Sequence, residues 1–261
     1  MSHDNPFRHS IGRLELWRRR AYCAAMRRLG HVHYVMPAQG ARFLVGEADL
    51  IDRSIAHFGM WEGENLDRLA RICHGRSVDC FLDVGANSGF YTVMLVTKGL
   101  VPAAVAFEPD PGNYAHLLAN LYLNGLAGKV RALPYAVGRE AGEVTLAEAS
   151  ANNRGESWIV HPDKPPEEAG TVATHQVRQV RLDDEVAASG QTLVIKMDVE
   201  GSEFHALAGM RRTLAENQCY LQVELYSDRI GELKSFFAGL GYRYLCTSYI
   251  DHFFTNMVDV E

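Results

Sequence analysis

A glycine turn and three acidic strand ends hold the residues of this chain best suited to chemistry. In Cys80-Phe-Leu-Asp-Val-Gly-Ala-Asn-Ser-Gly89, the apolar run Phe81 to Val84 stops at Gly85. The run predicts a buried parallel strand, and Asn87 or Ser88 can cap an amphipathic helix over Phe90 to Leu100. A strand, a glycine turn and a helix N-terminus form an anion-binding corner, because free backbone N–H groups point into it. Gly85 and Gly89 read as positions that leave out a Cβ so that a ligand can come close. The spacing is Gly-x-x-x-Gly, not the Gly-x-Gly-x-x-Gly of dinucleotide folds, since Asn87 and Phe90 fill the later places. That leans toward S-adenosylmethionine, whose carboxylate is smaller than a pyrophosphate. A second run, Ala103 to Phe107, ends at Glu108, 19 residues past Gly89. A carboxylate there can accept hydrogen bonds from both ribose hydroxyls. A third run, Leu193 to Met197, leads into Asp198, Glu200 and Glu203, and a fourth, Cys219 to Leu225, contains Glu224. Ligands bind beyond the carboxyl ends of parallel strands, so these acids are expected on the rim that also carries Asp83 and Glu108. Glu203 also suits helix capping, and Lys196 inside its strand suits a structural ion pair. The row of carboxylates can serve a cofactor amine, an acceptor hydroxyl or a divalent cation, with Asp198 and Glu224 as metal candidates.

Strands and helices must alternate to bring these residues to one edge. Helices are expected over 49–59, 62–73, 110–125, 203–216 and 228–240, and one strand over 130–137. Shorter strands are expected over 144–146 and 176–182, and short strands within 32–45. A terminal antiparallel pair, 242–247 and 253–258, turns around Ser248 to Asp251. Alternation followed by a hairpin implies an α/β fold with a mostly parallel sheet covered on both faces. Residues 11–30 read as an amphipathic helix with Ile11, Leu14, Trp17, Ala21, Ala24, Ala25 and Leu29 apolar among arginines. Either it packs on the domain with a solvated basic face, or it lies on a membrane surface or attracts an anionic substrate. Residues 1–60 therefore read as an N-terminal extension and 61–261 as the main domain. The segment 148–174, with Pro165-Pro166 inside, is too long and too polar for a plain connection and reads as a substrate loop.

Composition narrows the function. The 261 residues suit one large α/β domain, and 47% apolar content supports a substantial core. The net charge of −6 argues against a general nucleic-acid surface. Residues 1–33 depart from that balance, with seven arginines against Asp4 and Glu15. Five scattered cysteines fit reduced thiols, hence a cytoplasmic protein. No run approaches a membrane span, and no apolar segment follows the basic start as in a secretory signal.

Together the motifs resemble the FkbM family of S-adenosylmethionine-dependent methyltransferases. The resemblance rests on Asp83-Val-Gly-Ala-Asn-Ser-Gly89, Phe107-Glu-Pro109, Asn120 and Asn124, Ala136-Val-Gly138 with Gly142, and Leu182-Asp-Asp184. Its most specific part is Lys196-Met-Asp-Val-Glu-Gly-Ser-Glu203. It implies a class I Rossmann-like fold with a seven-stranded sheet, and O-methylation of a sugar, polyketide or related natural-product hydroxyl. By resemblance, Gly85, Ala86, Asn87 and Gly89 cradle the methionine end, with Asp83 behind its amine. Glu108 holds the ribose, Pro109 and Asp110 flank the adenine, and Ala136 and Val137 lie beneath it. Asp198 is the first candidate for general base or acceptor positioner, and Glu200, Glu203 and Glu224 are acceptor-side candidates. Histidine suits proton transfer near neutral pH, which adds His161, His175 and His252. Other classes also stay open: an N- or protein methyltransferase, a nucleoside-binding module without catalysis, or a nicotinamide oxidoreductase.

Overall fold

The structure, a computed structural model, describes residues 7, 11–47, 49–148, 157–160, 173–226 and 228–260. The chain opens with helix α1 (Arg13–Arg28), a hairpin of β1 (His33–Ala38) and β2 (Ala41–Gly46), and helices α2 (Leu50–Phe58) and α3 (Gly63–Gly75). Then β3 (Cys80–Val84), α4 (Phe90–Thr97), β4 (Ala104–Phe107), α5 (Pro111–Leu123) and β5 (Val130–Leu133) alternate. Next come β6 (Tyr135–Val137), β7 (Gly142–Glu148), β8 (Trp158–Ile159), β9 (Ala173–Val180) and the short α6 (Leu182–Glu185). The chain finishes with β10 (Thr192–Met197), α7 (Glu203–Ala208), α8 (Arg211–Glu216), β11 (Gln218–Glu224), α9 (Ile230–Ala238), β12 (Arg243–Ser248) and β13 (Asp251–Thr255).

The main sheet has seven strands in the order β12-β13-β11-β10-β3-β4-β5. Strands β11, β10, β3, β4 and β5 run parallel, and β13 enters antiparallel between β11 and β12. This is the expected Rossmann-like class with its terminal hairpin. Side chains alternate across the sheet with the period of two that a pleated strand imposes. Phe81, Val194, Tyr220 and Phe253 enter one core, shared with α3, α4 and α5. Leu82, Val84, Ile195, Met197, Val223 and Phe254 enter the other, shared with α7, α8 and α9. The β1–β2 hairpin joins the first core: Phe43 lies 5.4 Å from Phe90 between ring centroids, and Asn120 Oδ1 accepts the Leu44 N–H at 2.7 Å.

Four local expectations differ from the structure. The strand expected over 130–137 is two strands in two sheets. Pro134 lacks an N–H and separates β5 from β6, which pairs with β9 in a four-stranded sheet of order β6-β9-β7-β8. The helix expected over 203–216 breaks at Gly209, where a Cβ would stand 1.9 Å from the Gly138 carbonyl oxygen. Helix α4 is not amphipathic, since Phe90 to Val96 are all buried. Its N-cap is Gly89, with no side-chain cap bond, in place of Asn87 or Ser88.

Helix α1 turns a different face inward than its apolar stripe predicts. Arg19 and Cys23 are buried, while Leu14, Trp17 and Leu29 are exposed. Arg19 donates to the carbonyls of Ile55, Ala56 and Pro37 at 2.7, 2.9 and 2.8 Å. The first two lie in the last turn of α2, where the Gly59 N–H also reaches the Ile55 carbonyl, and a guanidinium fork suits such adjacent acceptors. Among the described residues, no helix is long and apolar enough to cross a membrane.

Candidate active site

The corner after β3 is built by close backbone approach. Gly85 has φ +82°, and a Cβ there would lie 1.7 Å from the Asp198 carbonyl oxygen. Gly89 has φ +80°, and its Cβ would lie 2.3 Å from Leu117 Cδ1. Both glycines thus make room for protein: one lets the β10 loop sit on the β3 loop, the other lets α5 pack against the helix start. The Asp198 N–H donates to the Val84 carbonyl at 2.9 Å and fastens the two strand ends together. Asn87, at φ +52°, gives its N–H to Glu108 Oε2 at 2.7 Å, and the Asp110 N–H donates to Oε1 at 2.8 Å. Asp110 caps α5 by accepting the Asn113 N–H at 2.8 Å. Asp83 lies behind the corner, buried, and accepts the Thr92 hydroxyl at 2.6 Å.

Lys196 organises the second cluster. Its Nζ donates to Asp198 Oδ2 at 2.9 Å and lies 5.1 Å from the centroid of the Tyr91 ring. Tyr91 donates its hydroxyl to Glu62 Oε2 at 2.6 Å. Asn65 and Gln222 donate their amide N–H groups to the two oxygens of Asp251 at 2.7 and 2.8 Å. Carboxylate oxygens of Asp198, Glu200 and Glu224 come within 4.8 Å of one another, an arrangement able to accept a cation. Glu203 turns back to accept the Gly201 N–H at 2.8 Å, the bond of a helix start.

Two cavities meet here. The first is lined by Gly85, Asn87, Glu108, Pro109, Ala136 and Val137, with Asp198 and Glu200 at its edge. Phe107, Tyr135, Leu146 and Ile159 give it apolar walls, and Ser157 and Ile159 bring the described part of the long segment onto it. The second cavity, of about 350 Å³, is lined by Glu62, Asn65, Glu224 and Asp251, with Trp61 and the hairpin turn at Tyr249. Asn87, Asp198 and Glu200 line both. Glu108 and Asp198, 90 positions apart in the chain, therefore face one space.

A family model described as the methyltransferase FkbM domain matches residues 83–244, well over half of the chain. The chain belongs to the FkbM methyltransferase family. A hexuronic acid methyltransferase, AglP of Haloferax volcanii, is 26% identical over 57% of this chain and 56% of that protein. The methyltransferase sdnD of Sordaria araneosa is 28% identical over 49% of this chain and 59% of its own length. The chain thus spans little more than half the length of these curated relatives. Among solved structures, an FkbM methyltransferase from Methylobacillus flagellatus aligns at TM-score 0.47 and 22% identity. That alignment covers 69% of this chain and 43% of the other.

The FkbM domain gathers only part of the site expected from its motifs. Gly85, Asn87, Glu108, Pro109, Ala136, Val137, Asp198, Glu200 and Glu224 line the two cavities; Asp83, Ala86, Asp110 and Glu203 are buried and, with Gly89, are not among the lining residues. The structure does not bring His175 or His252 to either cavity. His175 pairs with Glu148 at 2.8 Å on the small sheet, and His252 packs beside the Tyr244 ring on β13. His161 lies outside the described residues. Three acidic or amide groups of the second cavity, Glu62, Asn65 and Asp251, fall outside the stretch the family model matches and in no motif. The Asn65–Asp251 bond spans 186 positions, a contact no local pattern announces.

Charge in this space is unbalanced. Burial and the Asp198 charge push Glu224 up to about 8, and burial with Glu62 pushes Asp251 up to about 6. Burial works against the charge on Lys196, but Asp198, Glu62 and Glu224 outweigh it and hold the ammonium well above its ordinary value. Burial also raises Glu108 to about 8, against the lowering pull of its two N–H donors. A raised carboxyl means that the folded chain keeps a proton the unfolded chain has lost. Stability from Glu224 therefore falls as pH climbs from its unfolded value, about 4.3, through about 8, at up to about 1.4 kcal/mol per pH unit. Glu224→Gln removes that slope. Its melting temperature minus that of the parent should rise by several degrees between pH 5 and pH 8 in calorimetric scans. A difference that stays flat across this range would show that Glu224 titrates normally.

Proposed function

We propose that this chain is an S-adenosylmethionine-dependent O-methyltransferase whose acceptor is a hydroxyl of a sugar, polyketide or related natural product. The observation that carries this reading is the junction of the two cavities at Asn87, Asp198 and Glu200. The first cavity, a slot, opens there onto a separate polar chamber, as transfer between two ligands requires. The slot fits a nucleoside in its chemistry. Glu108 offers carboxylate oxygens to ribose hydroxyls, and Phe107, Ala136, Val137 and Ile159 offer apolar faces to a base. Asp198 and Glu200 present negative charge to a cationic centre where the cavities meet. The name of the Haloferax volcanii relative supports a sugar acceptor.

The cofactor, when bound, supplies an electrophilic methyl group. The protein's share is alignment, which can supply roughly 7–11 kcal/mol of barrier reduction. Asp198 orients the acceptor hydroxyl and takes its proton as the oxygen attacks. Lys196 holds Asp198 Oδ2 and leaves the other oxygen to the acceptor. Glu200 and Glu224 receive further acceptor hydroxyls, with residues 61–261 as the catalytic unit.

Calorimetric titration tests the cofactor half. S-adenosylhomocysteine is expected to bind and NAD to give no heat; the reverse outcome would make the protein a nicotinamide enzyme and end this reading. Acceptor screening with product masses tests the other half, and methylation confined to nitrogen would refute the O-methyl assignment.

A further inference from the structure

We infer that the acceptor taken by the second cavity carries a positive charge next to its hydroxyls: an amino-substituted polyol such as an amino sugar, with its ammonium among Glu62, Glu224 and Asp251. This rests on the reading of that cavity as the acceptor site and narrows its ligand.

Five carboxylates line the chamber, and its described lining contains no Arg, Lys or His. Asp198 and Glu200 are shared with the nucleoside slot and answer to a cationic cofactor. Glu62, Glu224 and Asp251 line the chamber and not the slot; Glu62 accepts from Tyr91 and Asp251 from Asn65 and Gln222, and each carboxylate keeps lone pairs for a further donor. Lys196 stands behind them, already committed to Asp198.

A second observation concerns hydrogen bonding. Asn65 lines the chamber and is only 7% exposed, yet its Oδ1 has no hydrogen-bond partner. Its amide N–H is spent on Asp251, so what it lacks is a donor. The chamber thus offers five carboxylates and an unmet amide oxygen, beside the hydroxyls of Tyr226, Ser248 and Tyr249. Buried acceptors without donors are costly, and an ammonium brings three donors and no acceptor. A neutral polyol meets the hydrogen bonds but leaves the charge; a carboxylate-bearing sugar worsens both. Lys196, set on Asp198 and over the Tyr91 ring, shows how this cluster already holds one alkylammonium.

The test is calorimetric titration of the full chain, without cofactor, with glucosamine, glucose, glucuronate and magnesium chloride. Glucosamine is expected to bind at least about tenfold tighter than glucose, a factor equal to about 1.4 kcal/mol, and glucuronate more weakly than glucose. Glu62→Gln, and independently Glu224→Gln, should bring glucosamine down to the affinity of glucose; the pair guards against one variant failing to fold. Three results overturn the inference: glucuronate binding as well as glucose, glucosamine binding no better than glucose or not at all, or magnesium binding that competes with glucosamine. Because no cofactor is needed, a failure of S-adenosylhomocysteine to bind is a separate result and leaves this one readable.

Discussion

Gly85→Ala is expected to lower the melting temperature by roughly 5–15 °C and to abolish measurable S-adenosylhomocysteine binding. Two costs combine. An alanine at φ +82° pays about 1–2 kcal/mol for the left-handed backbone. Its Cβ would also stand 1.7 Å from the Asp198 carbonyl oxygen, so one of two buried strand ends has to move, for about 1–3 kcal/mol more. The contact is backbone against backbone, and no side chain can swing away. Movement there drags Asn87 and Asp198 together, because both strands' exits are tied by the Asp198–Val84 bond. Gly99→Ala is the control. Gly99 has φ +67° but nothing within 4 Å of its Cβ position, so it carries the conformational cost alone. The difference between the two variants isolates the approach of the β10 loop to the β3 loop. Equal melting temperatures would mean that this approach has no energetic weight.

That contact also separates what is readable in the sequence from what is not. The strands β3, β4, β10 and β11 are visible because strands covered on both faces become short apolar runs, and their ends are visible because charge begins there. Hence Glu108, Asp198, Glu200 and Glu224 can be assigned to one rim before any coordinate is known. The purpose of Gly85 and Gly89 is not visible, because a glycine looks the same whether a ligand or a loop needs the space. Pro134 and Gly209 lie within runs whose periodicity continues across them, and only the second sheet and the Gly138 carbonyl explain the breaks.

Helix α1 fails differently. Periodicity ranks Leu14 and Trp17 as core positions, but hydrogen bonds to three backbone carbonyls draw Arg19 to the inward face instead. The second cavity was hidden for a related reason. Glu62 precedes α3, Asn65 sits in its first turns, and Asp251 opens β13; each looks like an ordinary surface polar residue until the sheet closes. The motif residues thus mark where the two cavities meet, while flanking segments supply much of the second one. It follows that family membership identifies the slot far better than the chamber.

Asp198 is where slot and chamber join, and Asp198→Asn should reduce turnover by about 10²–10⁴, the range assigned to a positioned base. The substitution keeps an oxygen that can accept from Lys196 Nζ, and it keeps the backbone N–H on Val84 and the carbonyl above Gly85. What it removes is the negative charge and the ability to take a proton. S-adenosylhomocysteine affinity is therefore expected to stay within about tenfold of the parent, since a charge at the edge of the slot is worth about 1 kcal/mol. Lys196→Met provides the complementary reading. It frees Asp198 from its ion pair and removes the cation nearest Glu224, so it should loosen the orientation of Asp198 and lower kcat by less than Asp198→Asn does. A double variant that is no slower than Asp198→Asn alone would place both residues in one step, because groups acting as a unit are not additive. If Asp198→Asn turns over at nearly the parental rate, the proton leaves by another route, and Glu224, lining the same chamber with a carboxyl raised to about 8, is the group to replace next.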